Sequence, residues 1–212
     1  MKNWSGGRQK QRRARNKSAR EIALEVLYHV DTRKAFADLQ LNRFLKRKEL
    51  QPRDAALATE IVFGTVRWRM RLDWVLGVHV RDGLDSLNPW IRNILRMAVY
   101  QLYFLDRVPA HAIVDESVKL AKKFGNPGMA GLVNAVLRRI LREGDSSNPE
   151  EKLDDPLEGM AVAYSHPEWL VSRWLERFGD EEVRELLQAN NQAPGISLRV
   201  HAGKTDREIL RQ

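Results

Sequence analysis

Asn88-Pro89-Trp90-Ile91-Arg92-Asn93-Ile94-Leu95-Arg96-Met97-Ala98-Val99-Tyr100-Gln101-Leu102-Tyr103-Phe104-Leu105 is the stretch on which the fold turns. An asparagine side chain can take an orphan amide of a first helical turn, and the proline that follows has a φ already suited to that turn and no N–H to lose. Behind them Trp90, Ile91, Ile94, Leu95, Ala98, Val99, Leu102 and Leu105 recur at helical spacing over about four turns. A helix this apolar predicts the centre of an all-helical core.

Helical signals continue on both sides. Upstream, Ser18 and Glu21 form an S-x-x-E capping box. Ile22, Ala23, Val26, Leu27 and Val30, widened by Leu24 and Tyr28, predict a mostly buried helix behind it. A shorter segment with Leu39, Leu41, Phe44 and Leu45 closes on Lys46, Arg47 and Lys48, cations suited to the negative end of a helix dipole. Pro52 opens a third helix through Ala55, Ala58, Ile61, Val62 and Val66 toward Arg67-Trp68-Arg69-Met70-Arg71. Downstream, Pro109 begins a helix with Asp115 and Glu116 early, Lys119, Lys122 and Lys123 late, and Gly125 as a left-handed cap. After a short Asn126-Pro127-Gly128 turn, Leu132, Val133, Val136, Leu137, Ile140 and Leu141 predict an antiparallel partner that Gly144 stops.

Asp145-Ser146-Ser147-Asn148-Pro149 reads as a linker. Residues 21–144 hold 20 basic and 14 acidic side chains and residues 145–192 hold 4 and 12, so the two parts carry opposite charge. In the second part Trp169, Leu170, Trp174, Leu175 and Phe178 follow His166-Pro167 as one apolar face, and Asp180 caps a helix with Val183, Leu186 and Leu187. The period then changes, because Ile196-Ser197-Leu198-Arg199-Val200-His201 alternates as a half-buried strand does. Thr205 and Glu208 make another capping box. A strand and a helix start with nothing to pair against predict the opening of a further domain.

The net positive charge has one source. Lys2, Arg8, Lys10, Arg12, Arg13, Arg15, Lys17 and Arg20 stand in the first twenty residues with no Asp or Glu among them, which leaves 28 basic against 28 acidic side chains elsewhere. A run of like charges repels itself and buries no apolar surface, so residues 1–17 predict a flexible arm. Cations that neutralise phosphates release condensed counterions, and the partner inferred for the arm is nucleic acid. Arg67, Arg69 and Arg71 around Trp68 and Trp74 are further candidates, since guanidinium planes beside indoles can stack on unpaired bases. Core tryptophans with a solvated arginine edge would account for the same residues. Lys122 and Lys123 could join Arg138, Arg139 and Arg142 in a second basic surface if their helices are antiparallel, although helix-end cations need no ligand to explain them.

Catalytic chemistry is nearly absent. Without cysteine there is no disulfide, thiolate ligand or cysteine nucleophile. The histidines at 29, 79, 111, 166 and 201 show neither i, i+4 spacing nor a neighbouring carboxylate cluster of metal-ligand type. Neither glycine-rich phosphate loop occurs, and adjacent Asp115 and Glu116 suit a helix dipole better than acid–base work. No catalytic, metal or cofactor-binding residue is assigned. No apolar run approaches the roughly 18 residues of a membrane span, and none follows the charged start as in a signal peptide, so a cytoplasmic protein is expected.

Asp106-Arg107-Val108-Pro109-Ala110-His111-Ala112-Ile113-Val114-Asp115-Glu116, then Leu120-Ala121-Lys122-Lys123-Phe124-Gly125 and Gly131-Leu132-Val133-Asn134-Ala135-Val136-Leu137-Arg138-Arg139, resemble the NusB-type helical RNA-binding domain. Ala58-Thr59-Glu60-Ile61-Val62-Phe63-Gly64-Thr65-Val66-Arg67-Trp68, Ser165-His166-Pro167-Glu168-Trp169-Leu170, and Asn190-Asn191 leading to Leu198-Arg199-Val200 are similar to the version at the front of the Sun/Fmu family of bacterial ribosomal RNA small-subunit methyltransferases. The resemblance covers residues 18–212 and implies an all-α, NusB-like helical bundle with a short α/β start of a following domain at the C-terminus. The expected parts are a basic arm (1–17), a NusB-like RNA-binding domain (18–144), a helical linker subdomain (145–192) and the start of a truncated methyltransferase region (193–212).

That family transfers a methyl group from S-adenosylmethionine to cytosine carbon 5, using two cysteines on a Rossmann-like domain. This chain has neither cysteine nor glycine-rich loop, so the resemblance implies an RNA-binding portion, inert by itself, whose partners are small-subunit ribosomal RNA and its own missing catalytic domain. It also carries RNA contact onto Arg12, Arg13, Arg15, Lys17 and Arg20. A helical module that docks a protein partner is a rival reading. So is a free-standing antitermination factor, against which residues 145–212 argue.

Overall fold

The computed structural model describes residues 17–46, 51–144, 148–192, 195, 199–201, 203–204, 206 and 208–209. The helices among them are α1 (Ala19–Arg33), α2 (Ala37–Lys46), α3 (Pro52–Arg67), α4 (Arg69–His79), α5 (Pro89–Phe104), α6 (Ala110–Phe124), α7 (Pro127–Glu143), α8 (Pro149–Lys152), α9 (Pro156–Ala163), α10 (Glu168–Phe178) and α11 (Asp180–Asn191). No strand occurs among the described residues. Residues 196–198 of the expected strand lie outside them, as does Thr205 of the last capping box. There the Asp206 carboxylate accepts from the amides of Glu208 and Ile209 at 3.0 Å each.

The apolar helix sits where its sequence puts it. Asn88 Oδ1 accepts from the Trp90 amide at 2.9 Å, and α5 then packs against α1, α3, α4, α6 and α7 with Ile91, Ile94, Leu95, Met97, Ala98 and Val99 buried. Two glycines set how closely its neighbours approach. A Cβ on Gly64 of α3 would stand 1.9 Å from Cζ of Tyr100, so the crossing leaves no room for a side chain. Gly125 is not left-handed as expected, since its φ is −130°. A Cβ there would meet the Ala121 carbonyl oxygen and Met129 Sδ, each at 2.9 Å, so steric room and not backbone freedom calls for glycine.

The same helix carries a polar element that its apolar period conceals. Asp31, near the end of α1, accepts from Arg92 Nη2 at 2.8 Å, Arg92 Nε at 3.1 Å and Asn93 Nδ2 at 3.1 Å, and pairs with Arg96 and Arg69 at 3.3 and 3.2 Å. Arg96 also grips Asp73 of α4 through two bonds of 2.6 and 2.8 Å. Burial alone would raise the Asp31 pKa, but hydrogen bonds from Arg92 and Asn93 and the charges of Arg96 and Arg92 outweigh it and hold the carboxyl below its ordinary range.

A second, smaller core joins Met160 and Ala161 of α9 to Val171 of α10 and to Val183 and Leu187 of α11. Part of the expected linker belongs to this unit: residues 145–147 lie outside the described set, whereas the Asn148 side chain caps α8 and Pro149 is buried. The expected α10 face is corrected as well. Trp169 is 66% exposed and Phe178 is exposed, while Val171 is the buried residue of that helix. Trp169 and Phe178 are nine residues apart and so lie on opposite sides of a helix with 3.6 residues per turn. Leu39 of α2, at 54%, and Val66 of α3 are likewise exposed. Gly179, rather than Asp180, stands at the N-cap of α11.

The two cores meet at the start of α4. Ser165 Oγ accepts from the Met70 amide at 2.9 Å, Arg71 donates to the Ala163 carbonyl and Arg67 to the Asn191 carbonyl, each at 3.4 Å.

Candidate nucleic-acid interface

α1 begins at Ser18 because its Oγ accepts from the Glu21 amide at 3.2 Å. The Glu21 carboxylate, which a capping box would turn back, reaches across to Lys123 of α6 at 2.7 Å. This pair holds the first turn of α1 beside the last turns of α6. Between them lies an open cleft of about 640 Å³, lined by Ser18 and Glu21 from α1 and by Glu116, Lys119, Lys122 and Lys123 from α6.

The cations around the cleft are held in place. Lys17 pairs with Glu25 at 2.7 Å and lies over the Phe44 ring, 5.3 Å from its centroid. Arg20 Nε donates to Oε1 of fully buried Gln101 at 2.8 Å, and Gln101 in turn donates to the Met97 carbonyl at 2.8 Å. Burial lowers the Arg20 pKa and the charge of Glu116 opposes that shift, but a guanidinium stays protonated in either case. Lys119 sits between Asp115 at 2.7 Å and Glu116 at 2.9 Å, whose carboxylates hold its ammonium above the ordinary lysine range. Exposed ammonium groups around a helix N-terminus can take phosphate oxygens.

Arg12, Arg13 and Arg15 lie outside the described residues, while Lys17 and Arg20 stand at the start of α1 beside the cleft. Arg67, Arg69 and Arg71 are not brought to it. Arg69 binds Asp31, roughly 16 Å from Arg20 along α1 at 1.5 Å per residue, and Arg67 and Arg71 bind the second core. Trp68 is stacked on Phe104 with ring centroids 4.5 Å apart, and Trp74 packs against the main core, so both indoles serve the fold.

The antiparallel arrangement of α6 and α7 separates the lysines from the arginines expected beside them. Lys122 and Lys123 stand next to the turn, whereas Arg138 lies toward the far end, in a groove of about 390 Å³ with His111, Asp115 and Leu141. Sequence reasoning does not reveal that Glu116, Lys119 and Lys123 form one wall of a cleft. Their i, i+3, i+7 spacing puts them on one stripe of a helix, but only packing against α1 gives that stripe an opposite wall. Among the described residues no group of three or more His, Cys, Asp or Glu side chains could hold a metal ion, and no helix is long and apolar enough to cross a membrane.

Known proteins resemble the chain in two segments. A model of the NusB family matches residues 17–142, and one of the ferredoxin-like domain of RsmF/B-like methyltransferases matches residues 166–212. A Bacillus subtilis protein named probable ribosomal RNA small subunit methyltransferase B is 36% identical over 92% of this chain and 43% of its own length. The ribosomal RNA small subunit methyltransferase B of Pseudomonas putida is 35% identical over 72% of this chain and 34% of its own length. The chain thus spans less than half the length of these relatives. The crystal structure of antitermination factors NusB and NusE in complex with dsRNA matches with a TM-score of 0.55 and 27% identity, over 59% of this chain and 95% of the matched one.

Proposed function

Because the chain belongs to the NusB family over residues 17–142, we propose that it is the RNA-binding region of an S-adenosylmethionine-dependent methyltransferase acting on cytosine carbon 5 of small-subunit ribosomal RNA. The observation that carries this reading is the junction of the cationic leader with a cleft walled by Lys119, Lys122 and Lys123. Arg12, Arg13, Arg15, Lys17 and Arg20 provide the main grip on phosphates. Arg67, Arg69 and Arg71 form a secondary contact, with guanidinium groups already engaged in the fold. A solved relative that holds dsRNA and full-length relatives named as ribosomal RNA methyltransferases support the substrate class.

The proposed division is an arm at 1–17, the RNA-binding bundle at 18–144, a helical linker at 145–192 and the opening of the methyltransferase region at 193–212. The described residues do not fit S-adenosylmethionine, since no strand leads through a glycine-rich loop into a helix. With no cysteine in the chain, methyl transfer falls to a catalytic domain supplied elsewhere, which is a proposed partner together with the RNA. The role left to this chain is to bind and orient the RNA. The proposed location is the cytoplasm.

The test is a filter-binding titration of a small-subunit ribosomal RNA fragment at two salt concentrations. Replacing Arg12, Arg13 and Arg15 by Ala is expected to weaken binding and to lower the slope of log K against log salt by about 2, at roughly 0.7 per phosphate contact. Unchanged affinity and slope would refute the reading.

A further inference from the structure

α4 meets the second unit at its start, through Met70 and Arg71, and ends roughly 13 Å further on at His79, beside the last turn of α7 and near α8. The His79 side chain is 4% exposed, and its Nδ1, shielded from solvent, meets no hydrogen-bond partner among the described residues. Its acidic neighbour is Glu143 of α7, whose Oε2 stands 3.7 Å from Nδ1 while Oε1 accepts from Arg139 Nε at 2.8 Å. The charged groups that act on the ring are Glu143 and Arg139 of α7 and Lys152 of α8; none comes from α3, α5 or α9, which also pack on α4. One carboxylate, already shared with Arg139, thus stands among two cations, and a protonated ring would be a third. Burial is the largest influence on the imidazole and lowers its pKa; Glu143 opposes that shift, and Arg139 and Lys152 add to it.

We propose that His79 is a proton-sensitive clasp: neutral, it seals the end of α4 against α7 and α8, and protonated, it draws water in and loosens the passage from α7 into α8 and α9. The sign follows from the preference of the folded state for the neutral ring. The clasp is complete above the unfolded value of about 6.5 and is lost as pH falls from there through the lower folded pKa. Asp31 is lost only below about pH 4, so the two windows are separate. The second unit stays tied at Met70 and Arg71, and acid therefore frees one end of the attachment without parting the two cores.

The test is hydrogen exchange of the whole chain about one pH unit above and about one below the unfolded histidine value, with exchange times scaled to the intrinsic rate. Peptides from the last turn of α7 through α9 are expected to lose protection roughly five-fold at the lower pH, while those of α5 keep theirs. His79→Gln, which cannot take a proton, is expected to abolish that difference, and Lys152→Gln, which leaves the ring and the core intact, to reduce it. His166→Gln removes another histidine of the second unit, one whose Nδ1 lies 2.7 Å from the Tyr164 carbonyl oxygen, and is expected to leave the difference in place. A difference that persists undiminished in His79→Gln and Lys152→Gln, that vanishes in His166→Gln, or that runs toward greater protection in acid would overturn the proposal.

Discussion

Asp31 shows how much one residue can hold. Arg69, Arg92 and Arg96 converge on its carboxylate, and removing it would leave the two largely buried guanidinium groups with one counterion each, Asp85 for Arg92 and Asp73 for Arg96. Asp31→Ala is expected to lower unfolding free energy by about 1–3 kcal/mol, read from urea denaturation. The Asp31 pKa is held below its unfolded value, near 3.9 for an aspartate. Its stabilising contribution is therefore complete above that value and is lost as pH falls through the folded pKa. The urea midpoint of the wild type should drop below about pH 4, and Asp31→Asn should flatten that drop. Gly64→Ala is the second expectation at this scale: the methyl group would collide with the Tyr100 ring, and overpacking of this kind costs about 1–3 kcal/mol in the same assay. Neither residue announces itself in the sequence. Arg92 and Arg96 stand in a helix whose apolar period already explains it, and the partner of Gly64 is distant along the chain.

A cap followed by a first-turn proline makes a helix legible where a clear apolar period stands behind it. Asn88-Pro89 marks its helix start by a side-chain acceptor and a residue with no amide to leave unsatisfied, whereas Asn126-Pro127-Gly128, expected as a turn, is the cap and first turn of α7. Ser18→Ala should accordingly destabilise α1, and the protein with it, by about 1 kcal/mol in thermal unfolding. Asp155-Pro156 carries the same signal, with the Asp155 side chain accepting from the Leu157 amide at 2.8 Å, yet α9 was missed. Its eight residues are apolar on nearly every side, so no period stands out. Faces were less legible than helices. Trp169 fits an apolar count but falls on the exposed side of α10, opposite Val171. The candidate site was readable as a positive leader, because charge is additive along a chain. The α6 wall was not, because a stripe of lysines and glutamates becomes a cleft only when another helix closes it.

At the scale of the molecule, a large core built around α5 carries a smaller one attached through the start of α4. Stability is expected to follow core size, so hydrogen exchange should show weaker protection in α10 and α11 than in α5, and equal protection would argue for a single cooperative unit. Charge is divided along the same chain, with a cationic leader, a near-neutral bundle face of paired lysines and carboxylates, and an acidic second part. A polyanion is drawn to the first and repelled by the last. Ultraviolet cross-linking of a small-subunit ribosomal RNA fragment to the whole chain, with the linked peptides identified by mass spectrometry, tests this polarity directly. Cross-links are expected between residues 8 and 20 and from Lys119 to Lys123; cross-links confined to α10 and α11, with none in the leader or α6, would contradict it.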